Sequence, residues 1–382
     1  MQLVYVTHQY FPDHRTNTYQ SMAMIQEFQK LGFSTELIYC DRKKTGIKKS
    51  ISEFYQSNKD IKTVKLKSLV STNKKNYKFF QKLIYVISQF EFSFKAKKYL
   101  QKNYSSNITI YTRSPYVLFV LNKFSKVFIF EIHQITRMTS YLIKKSMKKN
   151  QEIKFVVVTP YIQDQLLSFG IDPKNILYLE TGYDESLFAQ IDNDKLKDEN
   201  KIRIIFGGTL EIQGISKNLE NLVLNFLKLA EEEKIPQITI DIYTTNSKDE
   251  ERLDKYFSKH SIKGQVNIYE QLPKNEFYKE LINSDIGLLP LPDTHHTNLF
   301  SSSMKFFEYI RAGLLLVCSD VEANRRFNYP VIFRYKENQK SIENAILDAF
   351  NNLNESISFD ISEIIEYSYQ NRAKKIINTF IY

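Results

Sequence analysis

The stretch "SSSMKFFEYIRAG", residues 301–313, sets three serines before a short amphipathic segment and a glycine behind it. Ser301–Ser303 suit a helix N-cap, and Gly313 suits a helix stop. The amides of a first helical turn lack intrahelical acceptors and attract anions. Lys305 and Glu308 are three apart and share a helix face. An anion at the helix start would meet Lys305, and a carboxylate one turn further in could accept from a ribose diol, so the spacing suits a nucleotide. The same spacing also fits a surface Lys–Glu pair on a helix that packs through Phe306 and Ile310.

Four other places carry polar chemistry just after an apolar run. In "IFGGTLEIQGIS" (205–216), Gly207 and Gly208 permit close backbone approach to a ligand, although the G-x-G-x-x-G spacing of a dinucleotide fingerprint is missing. In "THQYFPDHRTNTYQ" (7–20), Thr16, Asn17 and Thr18 can cap the next helix and point at a ligand, or serve as plain caps. "YTRSPY" puts Arg113 where a guanidinium can reach an anionic group, and "FEIHQITR" puts His133 just past a strand, as a polar or proton-handling group or a structural histidine. Metal chemistry finds little support: the only D-x-D match, "DND" at 192–194, lies in a polar stretch, and the six histidines form no H-E-x-x-H array. There is no G-x-S-x-G elbow and no Walker-type loop.

These candidates need strands to hold them. Short apolar runs alternate with longer amphipathic stretches: "LVYV", "TELIYC", "ITIYT", "VFIFEI", "KFVVVT" and "ILYLE" in the first half. The pattern stops at "AQIDNDKLKDENK" (189–201) and restarts with "IRIIFGG", "ITIDIYTT", "VNIYE", "DIGLLPLP" and "LLLVCSD". Repeated strand–helix–strand patterning predicts parallel sheets covered by helices. Two such α/β domains joined by a polar linker are expected, with ligands bound beyond the carboxyl ends of the strands and in the cleft between the domains.

At 382 residues, with 42% hydrophobic and 25% charged residues, the chain has the size of two soluble domains. No apolar run approaches the ~18 residues of a membrane span. The N-terminus enters a strand directly, and the two cysteines, Cys40 and Cys318, stand far apart, so a reduced cytoplasmic protein is expected. Charge is uneven: residues 1–150 hold 27 Lys and Arg against 8 Asp and Glu, and the remainder is mildly acidic. A polyanionic partner of the first half would be anionic lipid or nucleic acid; a Lys-rich solvated surface is the simpler alternative.

"SSSMKFFEYIRAGLLLVCSD" (301–320) resembles the donor-binding motif of glycosyltransferase family 4, S-P-x-K-L-F-E-Y-x-A-x-G-x-P-V-V-x-S-D. "VVVTPYIQDQLLSFGIDPKNILYLETGYDESLF" (156–188) is similar to the segment ending in its G-x-D-x-x-x-F turn, and "VNIYEQLPKNEFYKELINSDIGLLPL" (266–291) to the segment that leads to the site. "QYFPD" followed by "LGFSTELI" is similar to its opening, so the resemblance covers most of the chain, more closely from about 155 to 325.

The resemblance implies a GT-B architecture, with two Rossmann-like domains whose parallel sheets face a central cleft. It divides the chain into an acceptor-binding domain at 1–188, a nucleotide-sugar-binding domain at 189–365 and a C-terminal helix at 366–382 that returns to the first domain. It implies a retaining, metal-independent hexosyltransferase, without cofactor, that uses a UDP- or GDP-linked sugar as donor. The acceptor would be a glycan or lipid-linked acceptor of bacterial surface polysaccharide synthesis. By position, Glu308 would hold the ribose. Ser302, Ser303, Met304 and Lys305 would face the diphosphate, with Gly207, Gly208, Thr209 and Lys217 in the glycine loop. His133 would lie near the transferred sugar, and Thr16, Asn17 and Arg113 on the acceptor side. The basic, aromatic stretch 74–100 adds a peripheral site on the inner face of an anionic membrane, or else an ordinary packed helix.

The chain departs from the family at several points. Phe300 stands where the first glutamate of Glu-x7-Glu belongs, Ser303 replaces the motif's proline, and "HRTNT" replaces a glycine pair. Thr209 and Gln213 stand near the places of an Arg/Lys pair, which Lys217 would replace. Members with the K-x-F-E-Y form often lack the first glutamate, so inactivity does not follow. The alternatives are a nucleotide-sugar epimerase on the same fold, a catalytically silent glycan- or partner-binding relative, and a nucleic-acid binder. Against the last stands the lack of aromatic-basic RNA motifs.

Overall fold

The computed structural model describes residues 1–41, 47–57, 60–67, 78–189, 201–245, 247–259, 266–353 and 359–382, and of 78–82 the backbone alone. The chain divides into two compact units: Met1–Gly182 with Tyr369–Tyr382, and Tyr183–Ser368. The polar stretch expected as linker falls mostly at 190–200, outside the described residues, as does "DND".

The first unit is built on seven strands: β1 (Gln2–Thr7), β2 (Ser34–Asp41), β3 (Lys62–Lys67), β4 (Thr109–Thr112), β5 (Val127–Ile132), β6 (Lys154–Val157) and β7 (Ile176–Tyr178). All pair in parallel, in the order β3-β2-β1-β4-β5-β6-β7. β1, β4 and β5 are buried almost end to end, because helices cover both faces of a parallel sheet. Such strands read as unbroken apolar runs. The terminal helix Tyr369–Phe380 packs in this unit against Thr16–Lys30.

The second unit carries β8 (Ile202–Gly208), the two-residue strands β9 (Glu211–Ile212) and β10 (Ile215–Ser216), β11 (Ile238–Thr244), β12 (Val266–Glu270), β13 (Ile286–Leu289), β14 (Leu315–Ser319) and β15 (Ile332–Tyr335). Its main sheet is parallel, in the order β12-β11-β8-β13-β14-β15. β9 and β10 form a separate hairpin. One continuous apolar core runs from Tyr183 to Ile364.

Strand order reverses between β1 and β4 in the first unit, and between β8 and β13 in the second. A crevice opens at such a point because the two crossover connections leave in opposite directions. Gly207 and Gly208 end β8, Arg113 follows β4, and His133 follows β5. β3 and β15 were not expected from the sequence. Both lie at sheet edges and are partly exposed, so neither shows an unbroken apolar run.

Candidate functional site

In the second unit, the segment after β13 delivers the helix Met304–Arg311. Six of its eight residues are buried, Glu308 among them at 3% exposure. The surface-pair alternative fails on that burial, and Lys305 is not the glutamate's partner. Lys274 Nζ lies 3.2 Å from Glu308 Oε1, and the Tyr278 hydroxyl donates to the same oxygen at 2.8 Å. Both partners belong to the helix Lys274–Ile282 that follows β12. Burial pushes the Glu308 carboxyl up, but Lys274, Lys305 and the Tyr278 bond outweigh it and hold it below the usual carboxylate range. Glu308 is therefore an anion at neutral pH, with Oε1 engaged twice.

The helix ends in a Schellman motif. Gly313, at φ +80°, donates to the Ile310 carbonyl at 3.0 Å, and Leu314 donates to the Tyr309 carbonyl at 3.1 Å. At its start Ser303 occupies the N-cap position with extended backbone, but its hydroxyl makes no capping bond, contrary to the sequence expectation. Ser302 and Ser303 are half-buried there, and Met304 is buried. Arg311 grips Glu185 with two bonds, Nε to Oε2 at 2.8 Å and Nη2 to Oε1 at 2.5 Å, which ties the "GYDESLF" turn to this helix.

The glycine pair is placed by packing. A Cβ on Gly207 would stand 2.4 Å from the Phe277 ring, and the Gly207 amide donates to the Tyr309 hydroxyl at 3.0 Å. Gly208 has φ +137°, which side chains rarely adopt. A Cβ there would meet Lys305 Cε at 3.2 Å and Lys217 Nζ at 3.9 Å, so two ammonium side chains converge on the half-buried backbone of Gly208.

Lys217 reaches this point by way of the hairpin. Gln213 (φ 54°) and Gly214 (φ 79°) both take the left-handed region, as a two-residue type I′ turn between β9 and β10 requires. The returning strand closes with the Lys217 amide donating to the Leu210 carbonyl at 2.9 Å. Lys217 is 8% exposed and lies over the Phe206 ring, and Lys305 lies over Phe277. Among the described residues neither ammonium makes a hydrogen bond or an ion pair. Burial, then the charge of Lys305, push Lys217 down to about 8, with Asp249 opposing. Burial and Lys274 push Lys305 down as well, with Glu308 opposing. A buried and a half-buried cation side by side without a bonded anion are costly, and their common focus is suited to an anion of matching charge.

Thr209 is not part of this focus: it is exposed, and its hydroxyl donates to the Glu211 carbonyl at 2.8 Å. Phe300 is buried against His295 and His296, an apolar plug where the resemblance expects a carboxylate. Lys274 and Tyr278, which the sequence reading passed over, turn out to hold Glu308. Their sign in the sequence was a Lys–x3–Tyr pair on one helix face just after a strand.

In the first unit Arg113 Nη1 donates to Gln20 Oε1 at 3.0 Å and to the Asn17 carbonyl at 3.4 Å, so Arg113 and Asn17 meet at the β1/β4 reversal. Asn17 Oδ1 and Gln20 Nε2 are buried there without a hydrogen-bond partner among the described residues. Thr16 is exposed in the first turn of its helix, whose N-cap is Arg15 rather than a threonine. The Thr18 hydroxyl turns back onto the carbonyls of Arg15 and Asp13. His133 sits against Glu131, Nε2 to Oε1 at 2.5 Å. Burial and the Arg113 charge push it down to about 4, with Glu131 opposing. Among the described residues no group of three or more His, Cys, Asp or Glu side chains could hold a metal ion, and no helix is long and apolar enough to cross a membrane.

No family model and no curated protein matches the chain. Solved structures do match over nearly its whole length. A glycosyltransferase from Rickettsia africae is similar with a TM-score of 0.63 at 14% identity, over 99% of this chain and 94% of that one. The sucrose-phosphate synthase of Thermosynechococcus elongatus is similar with a TM-score of 0.64 at 12% identity, over 99% and 98%. The Anabaena protein HepE, solved in complex with UDP and glucose, is similar with a TM-score of 0.61 at 10% identity, over 100% and 95%. At these identities the likeness establishes the fold: two Rossmann-like parallel-sheet units of the GT-B type.

Proposed function

We propose that this chain is a retaining, metal-independent glycosyltransferase of the family 4 type. It would move a sugar from a nucleoside diphosphate donor to a glycan or lipid-linked acceptor of surface polysaccharide synthesis. The observation that carries the reading is the convergence of buried Lys217 and half-buried Lys305 on Gly208, among the described residues without a bonded anion, one helical turn from the buried carboxylate of Glu308. A diphosphate supplies the missing counter-charge, and the ribose diol donates to Glu308. As the glycosidic bond breaks, charge grows on the diphosphate, and fixed ammonium groups in a site of low dielectric stabilise it most where it is greatest. His133, neutral at pH 7, offers a polar contact to the sugar. Arg113 and Asn17 lie on the acceptor side. That HepE was solved with UDP and glucose supports the nucleotide assignment.

Attachment to an anionic membrane surface belongs to the same reading. On the helix Lys78–Asn103, Leu83, Ile87 and Phe94 share one stripe and are 49%, 53% and 58% exposed. Tyr141 and Met138 are exposed on the helix Arg137–Met147, which carries Lys144 and Lys145 and leads into Lys148 and Lys149. Exposed apolar side chains among lysines fit a lipid surface better than water.

The test is calorimetric titration with UDP, GDP, the other nucleoside diphosphates and their sugars. One nucleotide should bind, and Glu308→Gln should weaken it at least tenfold with little change of fold. Equal affinity in the variant, or no binding by any nucleotide, would overturn the assignment. Anomeric configuration of the product, with and without chelator, then decides retention and metal independence. Binding without transfer would favour the catalytically silent alternative, for which Phe300 is the motive.

A further inference from the structure

The first unit holds a second buried charged cluster, and the chemistry proposed above uses its outermost member alone. Glu131 lies within β5 at 1% exposure. Three other elements supply its partners. Tyr111, on β4, donates its hydroxyl to Oε2. His133, beyond the end of β5, sets Nε2 at 2.5 Å from Oε1. Arg372, from the terminal helix and itself 2% exposed, brings Nη2 to 3.3 Å from the same Oε1. Through Nη1 the guanidinium also donates to the carbonyls of Leu179, at 2.6 Å, and Glu180, so its own position is fixed by the backbone after β7.

An ionised carboxylate only accepts. Burial pushes Glu131 up, yet Arg372 and then His133 hold it well below the usual range, so it is ionised at neutral pH. The hydrogen facing it must therefore sit on His133 Nε2. A neutral imidazole has a single N–H, so the other nitrogen, Nδ1, carries a lone pair. The ring is kept neutral first by burial, and the charges around it do not reverse that. Arg113 after β4 and Arg372 oppose protonation, and Glu131 favours it. Tyr111 and Tyr5 face the carboxylate with raised values of their own and stay neutral.

We infer that Arg372 and Glu131 are positioning residues: the guanidinium of the terminal helix fixes the carboxylate, and the carboxylate fixes His133 as the Nε2–H tautomer, whose Nδ1 accepts a hydrogen bond from a substrate hydroxyl. The substrate part rests on reading His133 as the sugar-facing residue. A ring so held has no proton to give at pH 7, so His133 orients a hydroxyl and is not the acid that protonates a leaving group.

The test is nitrogen NMR of the full chain labelled at histidine, with His133 assigned by His133→Gln. At pH 7 the wild type should show His133 with a lone pair at Nδ1 and a slowly exchanging proton at Nε2. Replacing the buried ion pair by an apolar pair, Glu131→Leu with Arg372→Leu, should leave the chain folded. In that variant the slow Nε2 proton should be lost to exchange. Arg372→Met should let His133 take up a proton at higher pH than the wild type, because a repelling charge is gone, and Arg372→Lys should restore the wild-type titration. A wild-type ring protonated at Nδ1 or at both nitrogens would overturn the inference, as would a double variant that is folded and spectrally unchanged, or one that does not fold. The spectra need no substrate. Wild-type spectra as expected, without nucleotide binding, would sink the transferase reading and leave the relay standing; binding with the wrong tautomer would do the reverse.

Discussion

Lys217 is a side chain whose removal should strengthen the fold and weaken the site. The residue is 8% exposed, and burial with the Lys305 charge depresses its ammonium from 10.5 to about 8. Each unit of depression is ~1.4 kcal/mol, so holding this charge in the unliganded protein costs about 3 kcal/mol below pH 8. Lys217→Met keeps the chain length over the Phe206 ring and removes the charge, so it should stabilise the unliganded protein by about 2–3 kcal/mol at pH 7. The unfolded chain keeps its Lys217 proton up to about pH 10.4 and the folded chain gives it up near 8. Between these values the unfolded state binds more protons, and wild-type stability rises with pH. The advantage of the variant should therefore be full below pH 8 and fade toward pH 10, which urea unfolding followed by circular dichroism at pH 7 and pH 9.5 would measure. The nucleotide should bind the variant about tenfold to a hundredfold more weakly, the worth of one charge-assisted hydrogen bond. In the wild type, binding should take up a proton near pH 8–9, seen as a dependence of the calorimetric heat on buffer. A variant less stable than wild type at both pH values, with unchanged nucleotide affinity, would refute the account of Lys217 as an unsatisfied buried cation.

Two further outcomes follow from the geometry. Gly207→Ala sets a Cβ 2.4 Å from the Phe277 ring and should lower stability by about 1–3 kcal/mol with loss of nucleotide binding; thermal melts should show part of the stability regained on adding Phe277→Leu. Wild-type protein should sediment with phosphatidylglycerol vesicles at low salt and be released near ~0.5 M salt. Leu83→Ser with Ile87→Ser should weaken that binding, and indifference of the wild type to anionic vesicles would end the membrane reading.

The sequence showed the interior of both sheets plainly, because a strand buried on both faces is an unbroken apolar run. β3 and β15 escaped because an edge strand needs only part of that pattern. Lys305 and Glu308 were legible as neighbours on a helix, but spacing within one helix cannot report which other helix packs on it. The true partner, Lys274, is remote in sequence, and no local pattern fixes that contact. Glu131 did leave a trace: one charged residue inside "VFIFEI", where a strand expected to be buried tolerates a charge only if something pairs it. Arg372 left another, on the buried stripe of Tyr369, Ala373 and Ile376. Read as a pair, these two misplaced charges would have named each other. The hairpin that delivers Lys217 was signalled by "QG" between "EI" and "IS", a turn signature passed over in favour of a glycine loop.

The return of Tyr369–Tyr382 to the first unit has a consequence for biosynthesis. A ribosome releases the first unit's seven strands long before Arg372, because the whole of the second unit is translated in between. At translation rates of ~5–20 residues per second, Glu131 waits on the order of ten seconds or more for its guanidinium. In that interval the carboxylate must stay hydrated or take up a proton, so β5 is held short of its final burial. The last step in maturing the first unit is thus set by the synthesis of the second.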